Sequence, residues 1–138
     1  MSMSLYLVLA LKTMPTTDEI NLSAKELNIP IVVSHVDDLS KHSGFLPIQV
    51  SGNDSGVETY ILSASEAKEI IPNKGALDLN NSITVKFRWG GNFKEASAAF
   101  YTAQTLTLKY NGVVFEPESG MFLEPQQLAE GAEAFSSM

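Results

Sequence analysis

ITVKFRWGGNFKEASAAFYTAQTLTLKYNGVVFEPESGMF, residues 83–122, carries the pattern on which the fold turns. Its first part alternates. Ile83, Val85, Phe87 and Trp89 are apolar while Thr84, Lys86 and Arg88 are polar, the period of two that lays one face of a strand on a core. Trp89 is expected inward and Arg88 outward. After Gly90-Gly91, Asn92 is a good N-cap with Glu95 at capping-box spacing. Phe93, Ala96, Ala99, Phe100, Ala103, Leu106 and Tyr110 then mark one helical face, and Asn111-Gly112 supplies the stop. Val113-Val114-Phe115 and Met121-Phe122-Leu123, joined through Glu116-Pro117-Glu118-Ser119-Gly120, read as a small hairpin. Beyond it, Pro125 suits the first turn of a last helix whose Leu128, Ala132 and Phe135 close over the core.

Working back toward the N-terminus, Ser4 to Leu11 is a continuous apolar run, as in a strand covered on both faces. It is far short of the roughly 20 residues that cross a bilayer, and no basic segment precedes it. Thr16 stands three residues before Glu19 in capping-box spacing, so a helix begins there, with Ile20, Ala24 and Leu27 inward. It ends before Pro30, and Ile31-Val32-Val33 is β-branched. Turn residues dominate from Asp37 to Gly56. Asn53-Asp54-Ser55-Gly56 reads as the loop of an antiparallel hairpin between Ile48-Gln49-Val50 and Glu58 to Leu62. One or two helical turns are expected over Ser65 to Ile71, followed by a break at Pro72-Asn73-Lys74-Gly75. Strands gathered between only two substantial helices predict an α+β fold: one domain over residues 1–138, a mostly antiparallel sheet, two main helices on one face and a short C-terminal helix.

The 138 residues include 44% hydrophobic and 18% charged, which fits a folded domain and not a disordered chain. Sixteen acids against nine bases give a net charge of −7, so nucleic-acid binding would act against the field of the whole molecule, whereas a basic protein partner would be attracted by it. The chain has no cysteine, hence no disulfide, thiolate nucleophile or cysteine-ligated metal. A cytoplasmic address, no membrane association and a monomer or small homo-oligomer are the corresponding expectations.

No reaction centre emerges from the motifs. Gly90-Gly91 lacks the spacing of a dinucleotide loop or a P-loop and reads as a turn. His35 and His42, with Asp37 and Asp38 between them, match no helical ligand spacing and leave a metal short of ligands. Ser40 beside His42 has neither a nucleophile elbow nor an orienting acid. Asp18-Glu19 reads as first-turn capping, while Asp37-Asp38 and Glu116/Glu118 read as solvated turn acids. Arg88, the only arginine, is expected to pair with an acid on a neighbouring strand or to lay its stem over the sheet. The expectation is of no catalytic residue, no metal and no cofactor.

At Phe87-Arg88-Trp89-Gly90-Gly91, the alanine-rich helix and Gly112-Val113-Val114-Phe115-Glu116-Pro117-x-x-Gly120, the sequence resembles small immunity proteins encoded beside bacterial polymorphic toxins, including contact-dependent inhibition and secretion-system effectors. Ser43-Gly44-Phe45-Leu46-Pro47 and Gly52-x-x-Ser55-Gly56 are similar to that group as well, so the resemblance spans residues 44–123. It implies an antitoxin that is not an enzyme, uses no cofactor and blocks one cognate toxin domain by direct contact. Nucleases with basic clefts are among the targets of such proteins, and acidity suits them through complementary potential. The toxin-facing residues are expected at Asp37, Asp38, Asp54 and Glu58, with Tyr60 as an anchor, because that segment joins charge to irregular backbone. A generic acidic interaction or adaptor domain is the alternative, recognised by a large exposed apolar patch together with self-association. A small-ligand enzyme, the third reading, requires a pocket containing Arg88.

Overall fold

The apolar run at the N-terminus forms β1 (Met3–Ala10), the strand around which the sheet is organised. In the computed structural model, which describes residues 2–73, 75 and 77–138, β1 lies between β5 (Ser82–Trp89) and β6 (Val113–Glu116). With β2 (Ile31–Val33), β3 (Gly44–Val50), β4 (Asn53–Leu62) and β7 (Met121–Leu123), the order across the sheet is β2-β3-β4-β5-β1-β6-β7, and every pairing is antiparallel. The fold is therefore α+β. Alternate β1 side chains enter different cores: Leu5, Leu7 and Leu9 join the large one, Tyr6 and Val8 a smaller one on the opposite face. That is why the run is apolar without a break.

The large core lies under α1 (Thr17–Glu26), α3 (Phe93–Tyr110) and α4 (Pro125–Ser136). α1 starts at the expected box: Thr16 Oγ1 accepts from the Glu19 amide at 3.1 Å, and Glu19 Oε1 accepts from the Thr16 amide at 2.9 Å. Asn92 caps α3 with its own side chain, accepting from Lys94 N at 2.8 Å and Glu95 N at 3.4 Å. Asn111, at φ 56°, ends that helix in the left-handed conformation that asparagine tolerates. Trp89 meets Phe100 edge-on at 6.0 Å, Phe100 meets Phe135 at 5.2 Å, and Phe135 stacks on Phe93 at 6.2 Å. This aromatic series ties β5, α3 and α4 together, each pair adding about 0.5–1.5 kcal/mol beyond area burial.

The two main helices, α1 and α3, share one face of the sheet as expected, and the short α2 (Ala64–Ile70), which the sequence reading assigns to neither face, packs on the other, where Ala67 and Ile71 cover Tyr6, Val8 and Phe115. Thr84, a polar position in the β5 alternation, is buried as well. The hairpin loop departs from the expected Asn53 to Gly56. The β3–β4 turn is Ser51-Gly52, both at positive φ (52° and 80°), as a two-residue type I′ turn requires. Asn53 to Gly56 belong to β4 instead, where Gly56 faces Pro47 at φ 152°. A Cβ on Gly56 would lie 2.4 Å from the Phe45 ring and 2.5 Å from the Leu46 carbonyl oxygen, so the glycine serves close packing within the strand rather than the turn. Lys74 of the expected break lies outside the described residues.

Candidate interaction surface

The strand register fixes which side chains share the second face of the sheet. Tyr6, Lys86 and Tyr60 form one cross-strand row; Ser4, Arg88, Glu58 and Phe45 form the next; Val32, Gln49 and Asp54 form a third. α2 with Ile71, Leu77 and Leu79 covers the half built from β1 and β6. Toward β2 the same face is open: Val32 is 54% exposed, Phe45 is 50% exposed, and Pro47 and Gln49 are exposed beside them. A groove of about 590 Å³ runs along this side, lined by Val32, Phe45, Pro47, Gln49 and Asp54 and bounded by Asn92, Lys94 and Glu95 of the α3 start.

Of the five residues expected to face a partner, Glu58 and Tyr60 come together on this face. Glu58 Oε2 accepts from Arg88 Nη1 at 2.9 Å, and the Tyr60 hydroxyl donates to Glu58 Oε1. Donation to that carboxylate raises the Tyr60 phenol above its ordinary value. Arg88 is thus committed to an acid on the adjacent strand and does not line the 590 Å³ groove. Lys86 Nζ lies 5.9 Å above the Tyr6 ring in the neighbouring row. Asp54 stands at the hairpin end, its Oδ1 receiving Gln49 Nε2 at 3.4 Å.

Asp37 and Asp38 lie elsewhere. They sit on the β2–β3 connection beside Leu11, Pro15 and Ile83. Through Ile83 this is where β5 starts beside the finish of β1, and neither acid lines the 590 Å³ groove. Asp37 pairs with His35 Nε2 at 3.0 Å in the open. Asp38 caps a short 3-10 turn, Leu39–Lys41, accepting from Ser40 N at 3.0 Å and from the Ser40 hydroxyl, which lowers its pKa. The four acids and the anchor expected on one irregular segment therefore divide into three places, because β3 and β4 turn most of that segment into sheet.

Phe45, Pro47 and Val32 are the surface residues that the sequence reading passed over. Their signal was present. Leu46, Ile48 and Val50 alternate inward with Phe45, Pro47 and Gln49 outward, and two of those three outward positions are apolar.

Elsewhere the motifs make local contacts. His42 Nε2 bonds the Phe45 carbonyl at 3.1 Å. Among the described residues, no three of His, Asp and Glu gather as metal ligands, and no helix is long and apolar enough to cross a membrane. At Gly90-Gly91 neither φ is left-handed and an added Cβ would meet open space, so the turn does not demand glycine. The amides of Lys94 and Glu95 behind it already donate to Asn92, which weakens any case for an anion there. Comparison with protein families, with characterised proteins and with solved structures finds no match.

Proposed function

We propose that this protein is a cytoplasmic immunity protein that binds a cognate toxin domain directly and blocks it, without chemistry of its own. The observation that supports the reading best is the open half of the second sheet face, where Phe45 and Val32 stand half exposed beside a groove and the paired Glu58 and Arg88. An apolar centre flanked by charged groups is the composition of a specific protein contact, with aromatic anchors supplying most of the affinity. The net charge of −7 favours a basic toxin, such as a nuclease, and speeds its approach. Pairing of Arg88 with Glu58 argues against the small-ligand reading, which needs that guanidinium free in a pocket.

The test is co-expression with the C-terminal domain encoded immediately upstream, scoring survival and measuring affinity by calorimetry. Rescue with nanomolar binding is expected. Lethality unchanged by this protein, with no heat of binding, overturns the proposal. The same open face also suits a general adaptor; binding to several unrelated partners with similar affinity is the result that favours it.

A further inference from the structure

Between α3, α1 and the first face of the sheet lies a cavity of about 20 Å³, with Thr59 from β4 and Thr102 from α3 on its wall and Ile20, Leu46, Phe87 and Leu106 among the apolar residues around them. Both threonines are buried, at 3% and 2% exposure, and neither hydroxyl has a hydrogen-bond partner among the described residues. A helical threonine ordinarily turns its hydroxyl back to the carbonyl four residues earlier. Thr105 does so to Tyr101 at 2.9 Å, and Thr107 to Ala103 at 2.7 Å. Thr102, on the same helix, does not.

Burying a hydroxyl without a partner is unfavourable, and burying two around one space requires compensation. The space is of the right size, since roughly 10–15 Å³ measured with a water-sized sphere admits one water molecule. We infer that the cavity is a hydration site for one water, which bridges Thr59 Oγ1 and Thr102 Oγ1 and so pins α3 to β4 through the apolar core. Each threonine hydroxyl both donates and accepts, so a molecule that does the same completes the pair, whereas an apolar atom would leave both unpaired.

The test is a crystal structure at high resolution together with water-to-methyl cross-relaxation in solution. A long-lived water within hydrogen-bond distance of both Oγ1 atoms is expected. Thr102→Ser retains it. Thr59→Val and Thr102→Val each expel it, leave the other hydroxyl unpaired and lower the denaturation midpoint, while the double variant rises above the weaker single because no orphan remains. A direct Thr59–Thr102 hydrogen bond with no water between them overturns the inference, as does a double variant whose loss is the sum of the two singles.

Discussion

The Asn21 side chain closes the outer edge of β2 by binding both polar groups of Val33: Oδ1 accepts from the Val33 amide at 2.7 Å and Nδ2 donates to the Val33 carbonyl at 2.9 Å. A single carboxamide thus imitates a neighbouring strand and locks α1 against the sheet. An uncapped edge would invite another chain to pair with it. Asn21→Ala is expected to speed hydrogen exchange at the Val33 amide selectively and to lower stability by about 1–3 kcal/mol, the range for orphaning buried backbone groups. Unaltered exchange at Val33 would show that the edge is protected by other means.

The open sheet face and the β2–β3 connection make different predictions for partner binding. Val32→Asp changes a residue 54% exposed, so folding stability should shift by less than about 1 kcal/mol. Its effect on the toxin complex should be a loss of more than tenfold in affinity, about 1.4 kcal/mol or above. Asp37→Lys, outside the groove, is expected to cost less. The reverse ranking by calorimetry would move the contact to the β2–β3 connection.

Gly56→Ala should be severe. The new methyl would meet the Leu46 carbonyl oxygen at 2.5 Å as well as the Phe45 ring, and the φ of 152° is strained for any L side chain. A loss of about 2 kcal/mol or more is expected in urea denaturation. Adding Phe45→Ala should restore little, because the backbone clash remains.

Gly90→Ala and Gly91→Ala should behave oppositely. With open space at both positions and no left-handed φ, alanine restricts the unfolded chain more than the folded one, stabilising by about 0.4–1 kcal/mol each. Thermal melts decide it, and a clear destabilisation at either position would reveal a constraint on the turn.

Asp38 should titrate below its ordinary value of 3.8, chiefly because the Ser40 hydroxyl bonds its ionised carboxylate. A carboxyl with a depressed folded pKa contributes stability that is fully present above the unfolded value and is lost as pH falls through the folded one. The Asp38→Asn variant should therefore differ from the parent protein above about pH 4 and converge with it in stronger acid. NMR titration of the Asp38 carboxyl checks the direction, and a midpoint at or above 3.8 would refute it.

Local chemistry made much of this chain legible. Thr16 with Glu19, and Asn92 before its alanine-rich helix, announce helix starts because capping needs only residues within one turn of each other. The alternation from Ile83 to Trp89 set the inward tryptophan and the outward arginine for a similar reason. What sequence could not fix depended on pairing between distant segments. The Ser51-Gly52 turn was hidden because Gly56, which looks like a turn residue, is required instead by the Phe45 ring on the adjacent strand. The continuous apolar run of β1 announced cover on both faces, but that α2 supplies the cover opposite α1 and α3 is a tertiary outcome. The candidate surface is likewise tertiary: cross-strand register brings Phe45, Glu58 and Arg88 into one row and leaves Val32 uncovered, while Asp37 and Asp38 stand apart beside Leu11 and Ile83. Periodicity tells which way a side chain points along its own strand, but only the register of neighbouring strands decides what it stands beside.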